Sequence, residues 1–157
     1  MRLFDTNVIV YACDPDSPFH AWAVEAIADA AGEGGPGACI NAATLAELCA
    51  QPGVNETLVA GEIMAFGIAI VEIPASCADV CGAAYRQYVA RRKAESGKDS
   101  PKMPLPDFFI GAHAQTAQMD LVTNDVERIR AYFPRVRCIT PARTPAPPAS
   151  PRSAGSN

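Results

Sequence analysis

With 157 residues, 49% of them hydrophobic and 19% charged, the chain has the composition of one globular domain, which excludes collagen, coiled coils and wholesale disorder. The net charge of −4 is unevenly distributed, because residues 1–85 hold eleven acidic residues and one basic residue, whereas residues 86–157 hold six acidic and twelve basic residues. An acidic half and a basic half are typical of a site that handles an anion through a metal ion, although a dipolar surface without a function has the same pattern.

Export and membrane insertion are not expected from this sequence. No run of about eighteen apolar residues occurs, and Asp5 stands where a signal peptide would have its apolar segment. The six cysteines form no C-x-x-C pair, so neither a zinc site nor a disulfide framework is indicated. We therefore expect a cytoplasmic protein whose reduced thiols pack as small hydrophobic side chains.

The N-terminal segment predicts a short strand that ends in an acid. Residues 2–5 fit this strand, and the apolar run 8–12 fits either a buried helix or a buried strand, with the preceding Thr6-Asn7 favouring a helix start. An alanine-rich helix is predicted over about residues 20–31, and it ends at the glycine-rich loop 32–37.

The middle of the chain predicts two strands and three helices. Residues 38–41 fit a second strand, Thr44 opens a helix, and a further helix spans about residues 55–66. The run 68–73 is too apolar to have a solvent-facing side, which predicts a sheet covered on both sides. A long amphipathic helix follows over about residues 75–93.

The C-terminal part predicts two more helices and two short strands. A polar loop over residues 96–104 precedes a helix that runs from Pro106 to about residue 118. Short strands at 121–123 and 137–140 enclose a second helix, which Pro134 ends.

This alternation of strands and helices predicts an α/β fold. The sheet is expected to be mainly parallel, with four or five strands and helices on both faces. We expect one domain over residues 1–141. Residues 142–157 are rich in Pro, Ala and Ser, and they predict a disordered tail.

Four acidic residues lie at or near the carboxyl ends of predicted strands, where parallel sheets bind their ligands. They are Asp5, Glu47, Asp107 and Asp125. If these strand ends converge, the four carboxylates share one cleft and repel one another unless a cation neutralises them. Oxygen ligands of this kind suit Mg²⁺ or Mn²⁺ rather than Zn²⁺.

Three of these acids also have a purely structural interpretation. Glu47 lies three residues after Thr44, as in a capping box, and Asp107 and Asp125 can complement the dipoles of the helices near which they lie. Asp5 differs, because the hydroxyl and the amide that follow it serve a site better than a core.

Several motifs together resemble the PIN-domain nucleases, and in particular the VapC-type toxins of bacterial toxin–antitoxin pairs. They occur in the family's order as Leu3-Phe4-Asp5-Thr6-Asn7, Leu45-Ala46-Glu47-Leu48, PLPDFFIGAHA and LVTNDVERIRAYFP. The resemblance covers about residues 1–141. It implies a PIN-like three-layer sandwich in which residues 6–13 are helical.

The resemblance further implies a magnesium-dependent endoribonuclease in which Mn²⁺ can replace Mg²⁺. Its catalytic and metal-binding acids are Asp5, Glu47, Asp107 and Asp125, and Thr123 matches the hydroxyl residue that accompanies them. Hydrolysis by a metal-activated water leaves 5′-phosphate and 3′-hydroxyl ends.

The fourth acid departs from the family's pattern. Many members carry Asn two residues after the position of Thr123 and Asp three residues further on, whereas this chain has Asp125 and Arg128 there. Asp125 is retained as the fourth ligand because it follows the predicted strand 121–123.

The resemblance also implies an RNA substrate, a cognate small antitoxin and a homodimer, with no membrane. Basic residues between positions 86 and 102 can hold RNA phosphates or can form a solvated face. His113, six residues after Asp107, points to another side of its helix and is expected to be structural. Two alternatives stay open, namely a housekeeping RNA-processing nuclease without an antitoxin and a catalytically silent PIN domain that only binds.

Overall fold

The computed structural model describes residues 1–96 and 102–142 of the chain. Within them, five strands form one parallel sheet in the order β3-β2-β1-β4-β5. The strands are β1 Arg2–Phe4, β2 Ala38–Asn41, β3 Ile68–Val71, β4 Asp120–Val122 and β5 Cys138–Ile139. The predicted disorder of the tail lies outside the described residues from position 143 onward, as do residues 97–101 of the predicted polar loop.

Seven α-helices occur in the described part of the chain. They are α1 Thr6–Cys13, α2 His20–Ala31, α3 Ala42–Cys49, α4 Glu56–Ala65, α5 Ala78–Ser96, α6 Pro106–Thr116 and α7 Val126–Tyr132. The α/β fold with a parallel sheet is thereby confirmed, and the run 8–12 is helical as the family resemblance implied. Among residues 1–96 and 102–142, no helix is long and apolar enough to cross a membrane.

The central strand, β1, sets the position of the first predicted catalytic acid. Leu3 pairs with Cys39 of β2 on one side and with Leu121 of β4 on the other. The pairing with β4 continues past the strand, since the amide of Asp5 donates to the carbonyl of Val122 at 3.0 Å. Residues that follow β1 and β4 therefore meet at the side of the sheet where the parallel strands end.

The side chains of β1 alternate between two hydrophobic clusters, one on each face of the sheet. Leu3 packs with Phe108 of α6 and with Phe133 at the end of α7. Phe4 packs on the opposite face with Val8 of α1 and with residues of α2 and α4. Helices thus cover the sheet on both sides, as a three-layer sandwich requires.

The sheet is covered on both sides as predicted, but the expectation that the run 68–73 has no solvent-facing side is wrong. β3 lies at the edge of the sheet with β2 as its paired neighbour, and Ala69 in its middle is exposed to solvent. The apolar run 68–73 also ends earlier as a strand, at Val71. Its place in the strand order, rather than its composition, decides how much of it is buried.

All six cysteines are free thiols, as expected. Cys39, Cys77 and Cys81 are buried in the cluster that contains Leu3. Burial raises the pKa of the Cys39 thiol to about 11, so this thiol stays protonated at neutral pH. Protonated, buried thiols of this kind pack as small hydrophobic groups.

Gly111 of α6 lies against the ring of Phe133, which provides a test of this packing. A Cβ at Gly111 would lie 2.9 Å from Cγ of that ring and would also meet Cδ2 and Cε2. We predict that Gly111→Ala lowers the free energy of unfolding, because overpacking costs about 1–3 kcal/mol and outweighs the gain of up to about 1 kcal/mol in helix propensity. Urea unfolding measures the change.

Gly61→Ala in α4 is the matched control. Among the described residues, nothing lies within 4 Å of a Cβ at Gly61, so this substitution should raise the free energy of unfolding by up to about 1 kcal/mol. A Gly111→Ala variant as stable as Gly61→Ala would contradict the close contact with Phe133.

Candidate active site

Asp5 is buried at the end of the central strand, and its carboxylate accepts three hydrogen bonds. It is 7% exposed and is the N-cap of α1. Oδ1 accepts from the amide of Thr6 at 2.8 Å. Oδ2 accepts from the side-chain amide of Asn7 at 2.7 Å and from the hydroxyl of Thr123 at 2.6 Å. These donors fix the carboxylate in one orientation.

The electrostatic environment of Asp5 works against its charge. Burial is the main cause that raises the pKa of Asp5 above its ordinary value of 3.8, and the nearby charges of Glu47 and Asp125 raise it further. The hydrogen bonds from Thr123 and Thr6 lower the pKa and offset part of this effect. Three carboxylates therefore share one region, and a cation among them would relieve their repulsion.

Glu47 is delivered by α3, and this helix begins earlier than predicted. Asn41 is its N-cap, because the Asn41 side-chain oxygen accepts from the amides of Ala43 at 3.0 Å and Thr44 at 3.1 Å. The interpretation of Glu47 as part of a capping box with Thr44 is therefore wrong. Instead, the hydroxyl of Thr6 donates to Oε2 of Glu47.

Thr123 links the ends of β1 and β4 through one fully buried hydroxyl. The hydroxyl donates to Asp5 and accepts from the amide of Asp125 at 3.0 Å and from the side-chain amide of Asn7 at 3.4 Å. Its one donor and its two acceptor lone pairs are thus used. Asn7 also accepts from the amide of Asn124 at 3.3 Å, which fixes the loop that carries Asp125.

Asp107 and Asp125 are joined by an arginine. Asp107 lies in the first turn of α6, directly after Pro106. Arg128 donates through Nη1 to Oδ2 of Asp107, and its Nη2 lies 3.6 Å from Oδ2 of Asp125. The side chains of Asp107 and Asp125 are 27% and 46% exposed, so this pair of acids lies nearer the solvent than Asp5.

A continuous series of contacts therefore connects all four predicted catalytic acids. Glu47 is bonded to Thr6, the neighbour of Asp5, and Asp5 is bonded through Thr123 to the loop of Asp125. Arg128 then joins Asp125 to Asp107. The four acids therefore lie together where the strands end, at the carboxyl side of the sheet. We call this group of four acids the acidic cleft.

The carboxylate oxygens of the acidic cleft are suitable ligands for Mg²⁺, but they are not arranged in a complete coordination site. Within residues 1–96 and 102–142, no group of three or more His, Cys, Asp or Glu side chains is arranged to hold a metal ion. The four acids offer only carboxylate oxygens, the ligands that Mg²⁺ prefers. By the chemistry of its donors, the acidic cleft fits this ion.

The roles of two residues that support the cleft are not predicted from the sequence. Asn41 ends β2 as predicted, but it is also the N-cap of α3, and Asn directly before an apolar helix is a preferred N-cap. Arg128 was noted only as a departure from the family motif. Its position three residues after Asp125 on a helix was the available signal, because such pairs lie on one face.

His113 lies in the core, as expected of a structural residue. It is buried, and its Nδ1 lies 3.4 Å from the side-chain nitrogen of Asn41. Burial lowers the pKa of His113 below its ordinary value, which favours the neutral imidazole. The contact with Asn41 ties α6 to the start of α3.

An apolar groove of about 570 Å³ shares helices α1 and α3 with the acidic cleft. It is bounded by α1, α2, α4 and the end of α3, and its lining consists of Ile9, Val10, Ala12, Cys13, Asp14, Val24, Ile27, Ala28, Ala31, Leu48, Gln51, Val54, Val59, Glu62, Ile63 and Phe66. Val24 and Phe66 in this lining are 44% and 67% exposed. Exposed apolar side chains gathered around a groove are typical of a binding surface.

A family model, that of the PIN domain, matches residues 2–134. No curated protein matches the chain. Among solved structures, the DNA-bound VapBC complex from Salmonella typhimurium is similar to the chain with a TM-score of 0.59 and 19% identity, covering 88% of this chain and 96% of that chain.

Two further solved structures are similar to this chain in fold. The VapC20 toxin from Mycobacterium tuberculosis, which cleaves the sarcin–ricin loop, has a TM-score of 0.57 and 15% identity, covering 87% of this chain and 99% of that chain. VapBC2 from Rickettsia felis, bound to promoter DNA, has a TM-score of 0.55 and 19% identity, covering 88% and 97%. At these identities the structures show a shared fold.

The hydroxyl of Thr123 provides a test of how the cleft is held together. We predict that Thr123→Val lowers the free energy of unfolding at pH 7.5 by about 1.5–3 kcal/mol, because the buried Asp5 carboxylate loses a hydrogen bond. Thr123→Ser keeps the hydroxyl and should cost less. Urea unfolding at several pH values measures both.

The pH dependence gives a second readout of the same variant. The pKa of Asp5 is already raised, and loss of the Thr123 hydroxyl should raise it further, so the native state of Thr123→Val binds a proton at higher pH. The deficit relative to the wild type should therefore shrink as the pH falls from 7.5 towards 4. A deficit that is constant with pH would contradict the link to Asp5.

Proposed function

Because the chain belongs to the PIN domain family, we propose that it is a magnesium-dependent endoribonuclease and the toxin of a toxin–antitoxin pair. The observation that carries this proposal is the convergence of four acids, Asp5, Glu47, Asp107 and Asp125, in one acidic cleft. The fold that the chain shares with VapC and VapBC structures also supports it. The proposed reaction is hydrolysis of an RNA phosphodiester by water.

The proposed cofactor is Mg²⁺, which Mn²⁺ can replace. Asp5 and Glu47 are the first ligands that we assign, since neutral hydroxyl and amide groups donate to their carboxylates. Asp107 and Asp125 are assigned as the other two. When bound, the ion supplies the positive charge that attracts a phosphate and activates the attacking water.

The surrounding residues orient the acids and set their charge. Thr6 holds Glu47, while Asn7 and Thr123 hold Asp5, so both carboxylates are fixed before substrate arrives. A cation bound beside Asp5 would offset the burial that raises the pKa of its carboxyl. The reaction needs no nucleophile from the protein, because water attacks the phosphorus.

The basic half of the chain is proposed to hold the RNA. α5 carries Arg86, Arg91, Arg92 and Lys93, and it packs against α6, which bears Asp107 in its first turn. Phosphate contacts from such residues give affinity without sequence preference, and choice of target comes from the shape of the RNA.

The antitoxin is proposed to bind the apolar groove as an amphipathic helix. The groove and the acidic cleft share two helices, since α1 begins after Asp5 and lines the groove with Ile9, while Leu48 of the lining follows Glu47 on α3. A partner in the groove can therefore reach the cleft, where an arginine of the partner can pair with Asp5 in place of a metal. Two acids in the lining, Asp14 and Glu62, favour a partner that also carries basic residues.

We propose a homodimer in the cytoplasm. Besides Val24 and Phe66, the described residues expose Leu58 and Met64 on α4, at 54% and 58%. A second copy of the chain would cover part of this apolar surface.

We predict that the full chain cleaves structured RNA in Mg²⁺ or Mn²⁺ and that EDTA stops cleavage, because four clustered carboxylates repel a phosphate unless a cation is present. Asp5→Asn and Asp107→Asn should each reduce cleavage by about 10²-fold or more. The thermal melt of Asp5→Asn should stay close to that of the wild type, since removal of a buried charge offsets the loss of the two hydrogen bonds that Oδ2 accepts. Labelled-RNA gels and circular dichroism measure the two effects.

Glu25→Gln is the control for these variants, because Glu25 is an exposed acid on α2 outside the cleft. It should keep full cleavage. Equal cleavage in EDTA would overturn the metal proposal, and full activity of both aspartate variants would show that the site is misplaced.

We predict that co-expression with a small antitoxin encoded beside the gene inhibits the nuclease and that Val24→Asp relieves the inhibition. The substitution puts a charge into the apolar groove at a side chain that is already 44% exposed, so the fold should tolerate it. Cleavage by the isolated variant should stay unchanged. Ala21→Asp, an exposed position of the same helix outside the groove, should remain inhibited. Inhibition of both variants alike would place the antitoxin elsewhere.

A further inference from the structure

Arg128 is a positive charge built into the acidic cleft. Its guanidinium bridges two acids that belong to different elements, since Asp107 begins α6 and Asp125 precedes α7. The arginine side chain is 42% exposed, so it lies at the solvent side of the cleft rather than in the core. An arginine that joins two acids across two helices is held in a defined place.

The four acids therefore fall into two pairs with different partners. Asp5 and Glu47 receive hydrogen bonds from neutral groups, and within residues 1–96 and 102–142 neither carboxylate forms an ion pair with a basic side chain. Asp107 and Asp125 both receive Arg128. The first pair retains its negative charge for a metal ion, whereas a cation already balances part of the charge of the second pair.

We propose that Arg128 is the resident cation of the Asp107–Asp125 half of the cleft, so that the chain binds one divalent ion, at the Asp5–Glu47 half, and uses Arg128 to bind a phosphate of the RNA. This inference rests on the proposed nuclease function and deepens it, and it gives Asp107 and Asp125 the role of holding Arg128 in place of the role of metal ligands. A second divalent ion would have to displace the guanidinium or share its carboxylates, and both cost affinity.

The chemistry of the guanidinium suits this double role. It is always charged and carries five N–H donors in a plane. Two of its nitrogens contact the carboxylates of Asp107 and Asp125, and the remaining donors can form the charge-assisted, paired hydrogen bonds that recognise phosphate. A lysine would keep the charge, but as a single point it could not bridge two acids and a phosphate in the same way.

The number of bound ions tests the first part of the inference without any reaction. Mn²⁺ is titrated into the full chain, and the free ion is followed by electron paramagnetic resonance. We expect one Mn²⁺ per chain for the wild type and for Arg128→Lys, and two for Arg128→Gln. Arg130→Gln is the matched control, because Arg130 is an exposed arginine of the same helix, and it should bind one.

Binding of RNA tests the second part. In the Asp5→Asn background, which is not expected to cleave, the affinity for a labelled single-stranded RNA is measured by fluorescence anisotropy at several salt concentrations. Adding Arg128→Gln should weaken binding about tenfold and reduce the slope of log K against log salt by about 0.7, the value for one phosphate contact. Adding Arg128→Lys should weaken binding less. Adding Arg130→Gln should change the affinity by less than about twofold and should leave the salt slope unchanged.

The outcomes separate this inference from the proposed function. Two Mn²⁺ ions in the wild type, or one in a folded Arg128→Gln variant, overturn the role of Arg128 as resident cation while the nuclease stands. An unchanged salt slope in Arg128→Gln overturns the phosphate contact. If neither the wild type nor Arg128→Gln binds Mn²⁺, the proposed metal-dependent function fails and this inference fails with it. Circular dichroism checks the fold, and Arg128→Ala, which also removes the charge of this 42% exposed side chain, replaces Arg128→Gln in both readouts if Arg128→Gln does not fold.

Discussion

The site depends on holding the buried carboxylate of Asp5 at the end of the central strand. Burial opposes the charge of this group, and the donors that offset the cost come from two parts of the chain: Thr6 and Asn7 follow Asp5 directly, whereas Thr123 follows β4. The Thr123 hydrogen bond can form only when β1 and β4 are paired in register. A shift of β4 by one residue would turn Thr123 to the other face of the sheet, so the fold and the site are specified together.

The acidic cleft and the apolar groove are two surfaces of the same helices. α1 begins at the cleft beside Asp5 and lines the groove with the side chains of Ile9 and Val10, and α3 carries Glu47 next to Leu48 of the groove. These helices are tied at their cleft ends by the bond between Thr6 and Glu47. A ligand in the groove therefore contacts α1 and α3, the helices that position Asp5 and Glu47. Burial of apolar surface in the groove can supply the binding energy, and the bound ligand can then affect the acids of the cleft.

The sequence was sufficient to predict that Asp5, Glu47 and Asp125 come together, because the parallel strands that precede them have their carboxyl ends on one side of the sheet. Asp107 follows no strand, and it joins the other acids from the first turn of α6 through Arg128. The sequence could not predict that β3 is an edge strand, since a short apolar run has the same pattern in the middle of a sheet and at its edge. The start of α3 was also ambiguous, because Asn41 and Thr44 are both preferred caps. Asn41 is the cap because, as the last residue of β2, it already has the extended backbone that an N-cap requires. The contact of Arg128 with Asp107 spans 21 positions, and no spacing rule predicts such a pair.

The unequal distribution of charge along the sequence has a structural counterpart in the cleft. Asp5 and Glu47 come from the acidic half of the chain, and neutral hydroxyl and amide groups hold them. Asp107 and Asp125 come from the basic half, and that half supplies Arg128 as their counter-charge. The two halves meet because β1 pairs with β4 at the centre of the sheet. One side of the cleft thus keeps both of its negative charges, and on the other side Arg128 balances one of two, so the proposed metal site and the proposed phosphate contact lie next to each other.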